Sequence, residues 1–259
     1  MVEIDPDWWK NLFDETYLIT DARSVCDHGV TCREVDFLET ALKLEKTWPI
    51  LDLCGGQGRH SLELSRRGFE QVTVVDYSRF LIDLGKKQAD DEGLNTRFLR
   101  KDARKTGLAS ESFMATFVMA SSLGYFKDDL QNEAILHEAC RVLLAGGTIL
   151  LDLPSQEFVL DHFSPQSWHE TEGGIVICRQ RRVEGDIICG REMVISKKEG
   201  LIRDADYCTR LYSEERIREM LISAGFDSVS VQEDFVSHEK EGDYGLMNNR
   251  MITIARKSG

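Results

Sequence analysis

A regular alternation running from Ile50 to Leu153 restricts the fold of this chain more than any other feature. Short apolar or β-rich runs at residues 50–53, 72–75, 97–99, 115–120 and 148–153 are separated by stretches with helical spacing at 58–67, 79–91 and 129–144. The last of these carries Leu130, Ala134, Leu136, Ala139 and Leu143 on one broad face, with Gly146-Gly147 as its expected stop. Parallel strands need crossover connections, and helices in that role cover both faces of the sheet. The alternation therefore predicts an α/β fold: a doubly wound, mostly parallel sheet of Rossmann-like architecture.

The flanks add smaller pieces. Asp5-Pro6 reads as the start of an aromatic helix carrying Trp8, Trp9, Leu12 and Phe13, which something must cover. A second helix is expected from about Thr31, with Val35, Leu38, Leu42 and Leu44 on its apolar side, ending before Trp48-Pro49. Residues 155–210 break the rhythm: 174–183, 186–196 and 201–211 read as β-strands joined by turns at 184–186 and 197–200. About 55 residues bury too little core to stand alone, so this is read as an antiparallel insertion. Ser213 caps a further helix, with Glu214 and Glu215 in its first turn, Ile217, Met220, Leu221 and Ala224 on its buried stripe, and Gly225 at its end. Strands at 228–236 and 250–256 follow, separated by a long polar loop at 237–249. The expected division is a helical cap at 1–48, an α/β domain at 49–154 and 211–259, and the insertion at 155–210 as a lid or dimer contact.

Composition narrows the function classes. The net charge of -13 opposes binding to a phosphate backbone, so nucleic acid is not expected as a partner. The basic clusters at Arg179–Arg182 and Lys197-Lys198 read as solvated strand faces. Seven scattered cysteines without a CxxC pair argue against a disulfide framework or a zinc site, and no metal is expected. No basic leader opens the chain and no run approaches the ~18 apolar residues of a membrane span. A cytoplasmic protein, monomeric or dimeric through the insertion, is the expectation.

Four loops at strand ends carry the chemistry. Leu51-Asp52-Leu53-Cys54-Gly55-Gly56-Gln57-Gly58-Arg59-His60 packs glycines between a strand and a helix, where bare backbone and a helix N-terminus admit a ligand closely. Asp76, in Val74-Val75-Asp76-Tyr77-Ser78, ends the second strand, and an acid there can accept both hydroxyl protons of a ribose; Ser78 also caps the next helix. Lys101-Asp102-Ala103 follows the third strand, where a carboxylate beside a backbone N–H could read the amino edge of adenine. Ala120-Ser121-Ser122-Leu123-Gly124-Tyr125-Phe126 follows the fourth, at the carboxyl edge where open α/β folds bind ligands. A dinucleotide loop would need a third glycine where Ser61 stands, which argues against an oxidoreductase.

This ordered set resembles the class I S-adenosylmethionine-dependent methyltransferases, from about residue 50 to 153 and again from 210 to the end. Arg141-Val142-Leu143 with Gly146-Gly147 and Arg210-Leu211-Tyr212-Ser213 add agreement. The resemblance implies a seven-stranded sheet with one antiparallel strand and S-adenosylmethionine as cofactor. Gly56 and Gly58 would line its methionine part, Asp76 the ribose, Asp102 and Ala103 the adenine, and the Ala120 carbonyl the amino group. Asp52, Cys54, Gly55, Tyr77, Ser78 and Ser121 complete the expected cofactor site. Cys54 stands where the family usually has its first glycine, and Met114 where an acid often begins the fourth strand.

Methyl transfer by in-line displacement asks mainly for alignment and desolvation, with a base only if the acceptor arrives protonated. Tyr17, after the aromatic helix, and Tyr125, leaving the fourth strand, are the candidate catalytic residues. Asp152 could face the pocket. His162 and His169 read as surface residues, and Arg210 as either a substrate contact or a structural ion pair. The acceptor implied is a small molecule methylated on nitrogen or oxygen; a non-catalytic binder of the same cofactor and a protein methyltransferase are the alternatives.

Overall fold

In the computed structural model, residues 4–171, 173–237 and 245–259 are described. The opening Met-Val-Glu and residues 238–244 of the expected polar loop lie outside them.

Four helices open the chain: α1 (Trp9–Leu12), α2 (Glu15–Thr20), α3 (Ala22–Val25) and α4 (His28–Leu42). The aromatic helix expected from Asp5 is broken up by side-chain capping. Asp5 closes a turn by accepting the Asp7 N–H at 2.9 Å, and Asp14 starts α2 by accepting from the N–H groups of Thr16 and Tyr17. α4 starts at His28 because the Asp27 carboxylate accepts the Val30 N–H, and it ends at left-handed Lys43, so Leu44 lies past it.

The alternation then runs through β1 (Pro49–Leu53), α5 (Arg59–Arg66), β2 (Gln71–Asp76), α6 (Arg79–Glu92), β3 (Arg97–Arg100), β4 (Phe113–Val118), α7 (Asp129–Val142) and β5 (Leu143–Pro154). After the insertion, which opens with α8 (Gln156–Asp161), come α9 (Glu214–Ala224), β10 (Phe226–Phe235) and β11 (Arg250–Lys257). One sheet of seven strands forms in the order β10-β11-β5-β4-β1-β2-β3. β11 runs antiparallel to both its neighbours and the other pairs are parallel, the doubly wound topology expected. Neighbouring residues of β1 serve opposite faces. Leu51 and Leu53 pack with Leu136, Ala139, Ile217 and Leu221, while Ile50 packs with Leu38 and Phe117. Each such fully buried aliphatic side chain contributes about 1.5–3 kcal/mol.

Two expected boundaries move. β4 ends at Val118 rather than Ala120, because Ala120 and Ser121 both take positive φ, 56° and 61°. Their turn is tied to β5: Asp152 Oδ2 accepts the Ala120 N–H and the Asp152 carbonyl accepts the Ser121 N–H, each at 3.0 Å. Gly146-Gly147 does not stop a helix. α7 passes at Leu143, already extended, straight into β5, and both glycines lie inside that strand.

The insertion consists of α8 (Gln156–Asp161), β6 (Gln166–Glu170), β7 (Ile175–Glu184), β8 (Ile187–Ser196) and β9 (Gly200–Arg210). Its strands make a separate antiparallel sheet in the order β6-β7-β8-β9, one strand more than expected. The two sheets meet through the opening aromatics: Trp8 and Trp9 are buried in a cluster with Cys189 and Cys208, packed by Phe13, Tyr77, Tyr125, Phe126 and Tyr207.

Candidate active site

β1 lies between β2 and β4, and the chain leaves the carboxyl ends of β1 and β4 toward opposite sides, opening a crevice there. Four loops converge on it. The cavity is lined by Asp52 of β1 and Cys54–Gln57 after it, Asp76 at the end of β2 with Tyr77 and Ser78 after it, Lys101, Asp102 and Ala103 after β3, and Met119, Ala120 and Ser122 after β4. Trp9, Phe13, Tyr17 and Val25 of the opening helices, with Tyr125 and Phe126, close the far side. The space is about 950 Å³, mouth included, within the range of small-ligand pockets.

The glycine-rich loop divides its labour. Gly56, at φ 58°, donates its N–H to Asp76 Oδ2 at 2.9 Å and bares backbone to the cavity. A Cβ on Gly55 would lie 2.4 Å from the Asp52 carboxyl carbon, so Gly55 makes room for Asp52. Gly58 does not line the cavity, contrary to expectation: at φ 72° it starts α5, and a Cβ there would meet the Phe98 ring at 2.6 Å. Its smallness serves helix packing. Cys54 adopts φ 63°, a left-handed conformation that favours glycine, and it lines the cavity.

Three carboxylates differ sharply. Asp52 is buried; its Oδ2 accepts from Ser61 Oγ at 2.7 Å while Oδ1 has no hydrogen-bond partner among the described residues. Burial, opposed by the Ser61 bond and aided by the nearby Asp76 charge, raises its pKa to about 7. Asp76 accepts the Ser78 N–H on Oδ1 at 2.8 Å and the Gly56 N–H on Oδ2. Burial still raises its pKa, and these backbone bonds pull the other way. Burial works against the charge of Asp102 too, but Arg104 overcomes it: Nη2 lies 2.6 Å from Oδ2, and the pKa falls. Burial and then the charges of Asp76, Asp52 and Asp102 push the Cys54 thiol well above its ordinary range, so it stays protonated and is no nucleophile.

Tyr17 and Tyr125 are both brought to the cavity, and burial raises both phenol pKa values. Neither is a phenolate at neutral pH. Tyr125 stacks on Phe13 at 5.6 Å and meets the edge of Trp8 at 5.1 Å. With Phe13 and Ala120, the two tyrosines also line a second cavity, which extends to the insertion at Arg179, Arg181, Glu192, Arg203, Tyr207 and Thr209. Ser121, expected at the cofactor, lines this second cavity instead, because its left-handed backbone turns the chain away from the first.

Arg104 escaped the sequence reading, although it follows Asp102 at turn spacing. Its guanidinium lies 4.5 Å from the Phe126 ring centre and 5.3 Å from that of Trp9. Also unread was a buried charge network at the cavity wall, which Arg59 and His60 line. Glu34 pairs with Arg59 at 2.5 Å, His60 at 2.9 Å and Arg250 at 2.6 Å, and Arg250 also pairs with Asp152 at 2.6 Å. Burial drives His60 down to about 4, so the imidazole is neutral. Asp152 is fully buried in this network and does not line the cavity as expected; it fixes the Ala120 turn.

The basic cluster was misread. Period-two alternation puts Arg179 and Arg181 on the inward face of β7, while Arg182 is exposed. Arg210 pairs with Asp186 and Asp129 and is structural. His162 stacks on Phe158 at 4.1 Å, and neither it nor His169 lines either cavity.

Residues 50–147 match the methyltransferase domain family. The YqeM protein of Bacillus subtilis (strain 168), which carries a methyltransferase name, is 26% identical over 213 residues, 81% of this chain and 84% of that protein. Among solved structures, an S-adenosylmethionine-dependent methyltransferase from Clostridium acetobutylicum ATCC 824 superposes with a TM-score of 0.74 at 16% identity, covering 94% of this chain and 97% of that one. An S-adenosylmethionine-bound amino pentose methyltransferase from Micromonospora echinaspora gives 0.69 at 16% identity, covering 96% and 99%. At such identities the superpositions speak for the shared fold, and the domain match speaks for the chemistry. Residues 50–147 thus carry a methyltransferase domain, on a fold shared with S-adenosylmethionine-dependent methyltransferases.

Proposed function

We propose that the enzyme moves a methyl group from S-adenosylmethionine to a nitrogen or oxygen of a small molecule. One observation carries this reading: the crevice cavity and the cavity under the insertion adjoin at Phe13, Tyr17, Ala120 and Tyr125, giving donor and acceptor a common wall. The amino pentose acceptor of the Micromonospora enzyme is a small molecule of this kind.

The residues present suit the cofactor. Asp52 Oδ1, buried and without a partner among the described residues, would take an ammonium hydrogen of the methionine part. Asp76 keeps lone pairs on both oxygens beyond its two backbone bonds, enough for two ribose hydroxyls. Asp102 and Ala103 would hold the adenine, with Trp9, Tyr77 and Phe126 around it. Gly55 and Gly56 keep the backbone close, Cys54 and Ser78 complete the wall, and the Ala120 carbonyl would meet the amino group. When bound, S-adenosylmethionine supplies a methyl carbon whose bond to sulfur breaks as its bond to the acceptor forms, the acceptor's proton leaving to solvent. Tyr17 and Tyr125, being neutral, position the acceptor and exclude water rather than abstract a proton. Residues 155–210 serve as the acceptor-side lid. The seven unpaired cysteines support a reducing, cytoplasmic setting.

The test is transfer of labelled methyl from S-adenosylmethionine to fractionated metabolites, with calorimetric titration of S-adenosylhomocysteine alongside. The parent should bind and transfer; Asp76→Ala should weaken binding by at least a hundredfold and abolish transfer. Label confined to protein fractions, or absence of S-adenosylhomocysteine binding by the parent, would defeat the reading.

A further inference from the structure

The cavity under the insertion holds three arginines, two of which are spoken for. Arg179 pairs with Glu192 at 2.7 Å and Asp21 at 3.1 Å, and Arg203 with Glu192 at 2.5 Å and Asp14 at 2.9 Å. Arg181 differs. It is 9% exposed and lines the cavity, and among the described residues its guanidinium makes one contact: Nε donates to the Tyr207 hydroxyl at 3.2 Å. Its two terminal nitrogens have no partner among the described residues.

That contact is built by the sheet. Arg181 on β7, Gly190 on β8 and Tyr207 on β9 stand opposite one another across three strands. A Cβ on Gly190 would lie 2.3 Å from the Tyr207 ring, so the missing side chain lets the ring lie across β8 and reach Arg181. Trp8 packs on the same ring at 6.3 Å. The guanidinium is thus held by one nitrogen, leaving the planar edge with its paired donors for something else. Burying a cation with open donors is unfavourable in itself, and a bidentate oxyanion is the partner whose geometry fills them.

We propose that Arg181, oriented by Tyr207, anchors an anionic oxygen group, a carboxylate or a phosphate, on the methyl acceptor. The acceptor would then be a small acid whose nitrogen or oxygen reaches past Tyr17 and Tyr125 to the donor side. This rests on the function proposed above, and binding measurements separate the two.

Acetate, inorganic phosphate and neutral acetamide are titrated calorimetrically into the protein, free and saturated with S-adenosylhomocysteine. Acetate or phosphate should bind the parent, acetamide at least tenfold more weakly. Preference between the two anions identifies the group. Arg181→Met should weaken the preferred anion at least tenfold while S-adenosylhomocysteine affinity stays within twofold, which also shows the variant is folded. Tyr207→Phe should weaken it severalfold. No anion binding by the parent, equal binding of acetamide, or unchanged anion binding by the folded Arg181→Met protein would overturn the assignment. Failure of S-adenosylhomocysteine to bind would fall on the methyltransferase site instead, since anion titration of the free protein decides the Arg181 question alone.

Discussion

Asp52 shows how a single buried atom can set a pH response. Its pKa is raised to about 7, so the folded protein holds a proton there that the unfolded chain releases near pH 4. Stability from this group is therefore present below that window and lost as pH rises through it toward 7. A ligand ammonium beside Oδ1 would favour the carboxylate and reverse the preference. S-Adenosylhomocysteine affinity should accordingly rise with pH up to about 7, by at most tenfold per unit, and flatten above. At pH 6 binding should release close to one proton, measured by calorimetry in buffers of differing ionisation enthalpy; Asp52→Asn should release none through this site. Cys54 and Gly56 make a second contrast. Cys54 sits at φ 63°, where a non-glycine residue costs about 1–2 kcal/mol, while glycine costs about 0.5–1 kcal/mol in chain entropy. Cys54→Gly should leave stability within about 1 kcal/mol and binding nearly intact, whereas Gly56→Val puts a β-branched residue at φ 58° and should abolish binding. The opposite pattern in paired titrations would refute this account of the loop. Asp76 was legible in the sequence because it ends the apolar run of β2; Asp52, inside β1, and Asp102, two residues past β3, were legible only through the order of the loops around them. The packing role of Gly58 was not, since Phe98 lies on another element.

Elements were legible in proportion to how local their causes are. β1, β2 and β5 announce themselves by apolar runs that serve both faces of a covered sheet. β6 carried no such signal, since Gln166–Glu170 is an edge strand with Trp168 71% exposed. The ties between elements were hidden more deeply: Arg250 of β11 reaches Glu34 of α4 across 216 positions, and no spacing rule links them. This junction joins α4, β5, β11 and the Ala120 turn through charges shielded from water. Removing one member leaves its partners as buried, uncompensated charges, which typically costs about 3–5 kcal/mol. Arg250→Met should lower the free energy of urea unfolding by that amount and weaken cofactor binding through a loosened Ala120 turn. A loss below about 1 kcal/mol would mean that the network is not a structural tie.

At the scale of the molecule, two sheets that share no hydrogen-bonded strand among the described residues act together through what lies between them. At about 55 residues the insertion would be marginal alone, and its inward face meets the opening aromatics. Trp8 is the centre of that contact, with Phe13 at 6.3 Å, Tyr125 at 5.1 Å and Tyr207 at 6.3 Å. It touches both Tyr125, in the common wall of the two cavities, and Tyr207, whose hydroxyl accepts from Arg181, so one side chain bridges the surroundings of both cavities. Truncating a buried tryptophan costs about 3–5 kcal/mol. In Trp8→Ala that loss should fall unevenly: amide exchange in β7, β8 and β9 should accelerate by orders of magnitude, while β1, β4 and β5 keep most of their protection. Saturating S-adenosylhomocysteine, at a hundredfold its dissociation constant, adds about 2.7 kcal/mol to the state that binds it. It should therefore restore protection in α1, α2 and α3 before it restores the insertion. Uniform acceleration across both sheets would instead show that they unfold as one cooperative unit, with Trp8 a core residue like any other.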